Sequence, residues 1–190
     1  MYGIIKTNWR VTMKKLLIVV DFQNDFVIGT LGFEKAKDLE EVIYQKIKYY
    51  QDNNYDVIYT LDTHYDNYLE TLEGKYLPIK HCIKDTAGHE VYGKVKELLK
   101  DRQAFYKNSF PSLELANYLK DKDYDEVEVC GLVSNICVLS NAILVRAALP
   151  EAKIIIDKTA TASYDETLNE KTFDVMKGLY FEVIEGVKYD

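Results

Sequence analysis

Six short apolar runs alternate with stretches of helical periodicity, and this alternation constrains the fold more than any other feature. The runs are 16–20, 56–61, 103–106, 127–131, 153–156 and 181–184. Between the first two, Leu39, Val42, Ile43, Ile47 and Tyr50 recur at helical spacing and predict a helix over 35–52. Val91, Val95, Leu98 and Leu99 predict another over 90–100. Further helices are expected near 112–121, starting after Pro111, over 135–149, ending at Pro150, and over 165–178, stopping at Gly178. Strands apolar on both faces and joined through helices belong in a parallel sheet covered on both sides. The expected fold is therefore a three-layer α/β/α domain with a mostly parallel, six-stranded, Rossmann-like sheet. In such a sheet the strand ends converge on one crevice.

Three strands deliver different reactive groups to that crevice. The run 16–20 ends at Asp21, 103–106 ends at Lys107, and 127–130 leads through 131–136 to Cys137. An acid, a cation and a thiol at one sheet edge are what a cysteine-nucleophile hydrolase requires. Cys137 lies just inside an expected helix start, with Ser134 or Asn135 as the N-cap. Backbone N–H groups there favour the thiolate and could hold an oxyanion. The plain alternative is a small buried apolar residue, which is the reading for Cys130 inside its strand; Cys82, beside His81, reads as a bystander. Asp21 at the mouth of a buried strand should be partly desolvated, with a raised pKa suited to proton transfer. The alternative, a cap for the next turn, fits Asp25. Lys107 could hold developing negative charge and position Asp21, or be an ordinary solvated lysine.

The polar stretch 63–86 is too long for a routine connection. It holds two of the three histidines, His64 and His81. Asp62 and His64 are two apart, so in an extended segment they point to one side. With His81 they could share a metal ion. Two imidazoles and a carboxylate suit Zn2+ first, with Fe2+ or Mn2+ as alternatives. Glu73 lies between them as a fourth ligand or a hydrogen-bond acceptor for one. The alternative is a pair of solvent-facing histidines. His89 reads as a surface residue near a helix start.

The 190 residues are expected to form one domain over 13–190 after an N-terminal extension, 1–12, since Met13-Lys14-Lys15 looks like a more natural start. Asn8 and Arg10 argue against a signal peptide. No apolar stretch approaches the ~18 residues of a membrane span. A net charge of −7 disfavours nucleic acid. Three cysteines without a Cys-x-x-Cys pair argue against a disulfide framework and for the cytoplasm. Sixteen tyrosines leave a homo-oligomer open. A non-catalytic flavodoxin-like binding domain is the rival from another class, but neither a G-x-G-x-x-G nor a Walker sequence occurs.

Two stretches carry a resemblance. Leu17-Ile18-Val19-Val20-Asp21-Phe22-Gln23-Asn24-Asp25-Phe26 and Gly131-Leu132-Val133-Ser134-Asn135-Ile136-Cys137-Val138, with Lys107 between them, resemble the motifs of the isochorismatase-like cysteine hydrolases in order and spacing. The similarity extends from Lys14 to Glu185. It implies the isochorismatase-like hydrolase fold and a catalytic triad of Asp21, Lys107 and Cys137. It also implies oxyanion donors at the N–H groups of Val133 and Cys137, a cis peptide before Val133, and an apolar ring pocket of Phe26, Phe110 and Ile136. The set Asp62-x-His64 … His81 is similar to the nicotinamidase (pyrazinamidase) branch, which binds a divalent metal beside the triad. That branch often has an aromatic shortly before the second metal histidine; here Leu77 precedes Pro78 with Tyr76 one further back, so Leu77, or else Tyr76, is the candidate pocket wall. The implied reaction is hydrolysis of nicotinamide to nicotinate and ammonia through a cysteine thioester, with Asp21 as general acid and base, in NAD salvage. Other branches, acting on ureido or carbamoyl substrates, generally lack the metal set and supply the alternative.

Overall fold

A computed structural model describes residues 13–187; the expected extension 1–12 lies outside the described residues. The strands are β1 (Lys15–Val20), β2 (Asp56–Asp62), β3 (Gln103–Lys107), β4 (Glu126–Leu132), β5 (Lys153–Ala162) and β6 (Glu182–Ile184). They form one sheet in the order β3-β2-β1-β4-β5-β6, with every pairing parallel. The α-helices are α1 (Asn24–Val27), α2 (Glu34–Asp52), α3 (Leu72–Tyr76), α4 (Val95–Leu99), α5 (Leu113–Leu119), α6 (Leu139–Ala148) and α7 (Glu166–Gly178).

The apolar run 16–20 of β1 explains the layering. Successive side chains of a strand point to opposite faces. Leu16, Ile18 and Val20 pack with Leu115, Val145, Phe173 and Met176 of α5, α6 and α7. Leu17 and Val19 pack with Leu39, Ile43 and Ile47 of α2 and with Val95 and Leu99 of α4. Each such fully buried side chain contributes roughly 1.5–3 kcal/mol. The chain runs β1-β2-β3 toward one edge, then returns beside β1 as β4. The direction of winding therefore reverses between β1 and β4, where ligands of open parallel sheets bind. Gly131 makes this junction tight: its φ is +111°, and a Cβ there would sit 2.0 Å from the Val20 carbonyl oxygen. Among the described residues, no helix is long and apolar enough to cross a membrane.

Several local expectations are corrected. The helix over 90–100 shrinks to α4, because the backbone before it pairs with another segment. The Asn24 N–H donates to the Glu90 carbonyl and the Tyr92 N–H to that of Phe22, each at 2.9 Å. Gly93, at φ +55°, then turns the chain into α4. The stretch 63–86 is not wholly irregular: a 3-10 turn (Tyr68–Glu70) leads into α3, whose N-cap Thr71 accepts the Gly74 N–H at 3.0 Å. Neither Ser134 nor Asn135 caps the helix after β4. Val133 holds the cap position, and a π-helical turn (Ser134–Val138) precedes α6, closed by a Val138 N–H to Val133 carbonyl bond of 3.2 Å. The Ser134 hydroxyl is drawn to Asn169 at 2.5 Å instead.

β5 extends past 156 to Ala162, and its pairing with β4 shifts register between Val129 and Gly131. Asp157 anchors the irregularity, accepting the Thr159 N–H at 2.8 Å and its hydroxyl at 2.7 Å. Lys46, in the middle of α2 and fully buried, reaches Asp157 at 2.5 Å and Glu128 at 2.7 Å. His89 is buried rather than on the surface, its Nε2 2.9 Å from the Thr63 hydroxyl.

Candidate active site

Four strand ends supply the site. Asp21 leaves β1 at φ +47°, which turns its side chain into the crevice; its N–H donates to the Thr60 carbonyl at 3.2 Å. The carboxyl is fully buried. Its Oδ1 accepts the Thr60 hydroxyl at 2.7 Å, and its Oδ2 lies 2.7 Å from Lys107 Nζ. Lys107, at the end of β3, is also buried. Its ammonium lies 3.7 Å from Cys137 Sγ, 3.2 Å from Asp62 Oδ1 and 3.1 Å from the Ser109 carbonyl oxygen. One cation thus touches the acid, the thiol and a carboxylate of the histidine cluster.

The electrostatics follow from this burial. Loss of water pushes Asp21 up, and Asp62 adds to the rise, while Lys107 and Thr60 oppose it. Burial pushes the Cys137 thiol well up, with Asp21 and Asp62 adding and Lys107 opposing. Burial works to lower Lys107, but Asp21, Cys137 and Asp62 outweigh it and keep the side chain an ammonium. Burial and the two carboxylates thus work against the thiolate that the helix amides would favour. Both acid and thiol hold protons more tightly than in water, so the thiol proton needs a local acceptor. The Leu132–Val133 peptide is cis, as the resemblance implies.

Asp62, His64, Glu73 and His81 converge beside this group, each offering an atom within 4.8 Å of the others. Asp62 Oδ2 lies 3.0 Å from His64 Nε2 and 3.4 Å from His81 Nε2; Glu73 Oε1 lies 3.6 Å from each. His81 Nδ1 is 2.8 Å from the Ile79 carbonyl oxygen. That bond makes Nδ1 the protonated nitrogen of a neutral ring and leaves the Nε2 lone pair facing the cluster, as in metal-bound histidines. Burial lowers His81, but Asp62, Glu73 and the Ile79 carbonyl push it up to about 9. Burial raises Asp62, yet Lys107, His64 and His81 hold it well below the usual carboxylate range. The cluster therefore draws a cation to its centre, and two imidazoles with two carboxylates fit a divalent one. Tyr68, unnoticed in the sequence, packs its ring 4.6 Å from that of His64 and 5.0 Å from that of His81.

The thiol and three of the cluster residues, all but His64, open on one cavity of about 380 Å3. Phe26, Leu77, Phe110 and Ile136, the expected pocket residues, all line it, as do Val133, Asp62, Glu73, His81 and Cys137. Leu31 and Tyr164 also line it and were missed. Tyr164 stands two residues past the end of β5, a position hidden in the sequence because the apolar run there ends at 156. Leu31 stands in the turn after α1, where no sequence pattern marks it.

Comparison with known proteins places these features in context. An isochorismatase domain model matches residues 15–186. The isochorismatase family protein PncA of Bacillus subtilis (strain 168) is 30% identical over 167 residues, covering 81% of this chain and 89% of that one. The nicotinamidase of Saccharomyces cerevisiae (strain S288c) is 25% identical over 215 residues, covering 90% and 99%. The crystal structure of nicotinamidase PncA from Bacillus subtilis superimposes with a TM-score of 0.81 at 26% identity, covering 91% of this chain and all of that one.

Proposed function

The chain belongs to the isochorismatase family, and on that premise we propose that it is a nicotinamidase, hydrolysing nicotinamide to nicotinate and ammonia. One observation carries the reading: Cys137 and three members of the cluster, Asp62, Glu73 and His81, line one apolar cavity, and Lys107 behind it bridges Asp21 to Asp62. A pyridine carboxamide needs both ends of such a site. Its amide carbon needs a nucleophile, and its ring nitrogen a Lewis acid some distance away.

In this reading Asp62, His64 and His81 hold a divalent metal, with Glu73 as a further ligand or a hydrogen-bond partner of one. A divalent metal held there, zinc by its donors with iron(II) or manganese(II) as alternatives, would supply Lewis acidity toward the ring nitrogen, directly or through water. Phe26, Leu77, Phe110 and Ile136 clasp the ring and exclude water, which fixes the carboxamide over Cys137. Asp21 takes the thiol proton, and the sulfur attacks the amide carbon as the carbonyl π pair moves to oxygen. The N–H groups of Val133 and Cys137 receive the oxyanion. Collapse breaks the C–N bond, and Asp21 returns the proton to the departing ammonia. Asp21 then takes a proton from water, whose oxygen attacks the thioester. Release of nicotinate returns that proton to sulfur. Lys107 keeps Asp21 oriented and offsets negative charge throughout. Such an activity would serve NAD salvage, and the three cysteines without a Cys-x-x-Cys pair favour the cytoplasm for it.

Ammonia release from nicotinamide by the purified protein tests the proposal. Release that falls on chelation and returns with added metal supports it. Full retention of metal with no release would move the substrate to a ureido or carbamoyl amide.

His64→Ala should weaken metal binding and raise KM for nicotinamide more than it slows alkylation of Cys137. Parental metal content with an unchanged KM would remove His64 from the ligand set. The acid limb of kcat/KM reports the base form of Asp21. Because burial raises that group, the limb should fall with decreasing pH at a midpoint above the ordinary carboxylate value of about 4. A profile at saturating metal with its midpoint at or below that value would contradict the assignment.

A further inference from the structure

The short segment that carries Asp21 also grips the metal cluster from behind. The Gln23 side chain is fully buried. Its Oε1 accepts the Asp62 N–H at 2.8 Å, and its Nε2 donates to the Asp62 carbonyl at 2.9 Å and to the His89 carbonyl at 2.8 Å. One amide side chain thus holds both backbone polar groups of Asp62, as a neighbouring strand would. Two residues on, Asp25 Oδ2 accepts the Cys82 N–H at 2.7 Å. Cys82 follows His81 directly and stands at φ +45°, a conformation that favours glycine. Its carbonyl in turn accepts the His64 N–H at 3.0 Å. The backbone at Cys82 is therefore fixed on one side by Asp25 and on the other by His64. Asp25 is thus more than a cap for its own turn, although it also lies 3.4 Å from the Thr30 N–H.

We propose that Gln23 and Asp25 are positioning residues for the metal: Gln23 sets Asp62, and Asp25 sets His81 through the Cys82 peptide. Neither touches the ring; the described cavity wall includes neither side chain. They act through the ligands. Losing partners that orient metal ligands typically costs about 10–100-fold in affinity. The arrangement ties acid and metal together in one hexapeptide, Asp21 to Phe26, whose last ring packs 5.6 Å from that of His81. This inference rests on the metal reading above.

The test is cobalt binding to the full chain, followed by chelator competition and by the visible d–d spectrum. Gln23→Met removes one acceptor and two donors at nearly constant volume. Asp25→Leu removes the acceptor for Cys82, while Asp25→Asn keeps an amide oxygen in its place. Gln23→Met and Asp25→Leu should bind cobalt about 10–100-fold more weakly than the parent, with altered d–d bands at saturation. Asp25→Asn should stay close to the parent in both. A lowered melting temperature with parental cobalt affinity and spectrum would make these residues structural clamps alone and overturn the proposal. If Asp25→Leu does not fold, Gln23→Met decides by the same readouts. A parent that takes up no cobalt overturns the metal reading and this inference with it. A parent that does, with unaffected variants, overturns this inference only.

Discussion

Cys137→Ala should reduce ammonia release from nicotinamide at least ~10^4-fold, the scale of losing a covalent nucleophile from a site whose other parts remain. The sulfur is the atom that enters the bond with the amide carbon, and no neighbour can replace it. Lys107 and Asp21 both approach the reacting centre, but an ammonium is no nucleophile, and Asp21 is engaged by Thr60 and Lys107. The substitution should leave the fold intact. It removes one small buried atom from the turn before α6, at a cost of about 1 kcal/mol, and Lys107 keeps Asp21 and Asp62 as partners. The metal cluster does not include Cys137, so cobalt uptake should match the parent. Activity, melting temperature and cobalt binding are to be measured on one preparation. Residual turnover within ~10-fold of the parent would mean that a metal-activated water attacks directly, and the thioester route would be abandoned.

The parts of this site that were legible in the sequence are those set by strand ends. From Leu16 to Val20 β1 is apolar without interruption, so its burial and the placement of Asp21 at its exit follow from the sequence pattern. The same holds for Lys107 after β3 and for Asp62 and His64 leaving β2. His81 could be joined to them only because two of three histidines fell in one long connection. What was not legible has a common cause: polar residues satisfied by partners far away in the chain. Lys46 lies in an amphipathic helix and reads as solvent-facing, yet it pairs with Asp157 and Glu128 from neighbouring strands. β5 was cut short because Asp157-Lys158-Thr159 lacks an apolar pattern, although Asp157 binds its own loop and Lys46. His89 reads as exposed because its partner, the Thr63 hydroxyl, is contributed by another segment. The surroundings of the thiol are hidden in the sequence for a related reason. A helix start signals an activated thiolate in the sequence, whereas burial and the neighbouring Asp21 and Asp62, which push the thiol up, come only from the fold.

Asp21→Asn should lower turnover by about 10^2–10^4-fold, the range expected for a general acid–base group, while making Cys137 easier to alkylate. The two effects have opposite signs, and their combination identifies Asp21 as a proton carrier. Asparagine is nearly isosteric, and its Oδ1 can still accept the Thr60 hydroxyl that now bonds Asp21. Lys107 keeps its contact with Asp62. The amide, however, can neither take the thiol proton, nor deliver one to ammonia, nor activate water, so both halves of the reaction fail. The thiol feels a different change. Asp21 raises it and Lys107 lowers it; removing the carboxylate takes away one of the contributions that raise the thiol while the lysine stays, so the thiol pKa falls. At mildly alkaline pH, iodoacetamide should therefore react faster with Asp21→Asn than with the parent. Its rate should also rise with pH where the parent, exchanging one proton between acid and thiol, stays flatter. Slower alkylation together with lost turnover would instead indicate that Asp21 serves only to organise the site. Retained turnover would transfer the proton-carrying role elsewhere in the cavity.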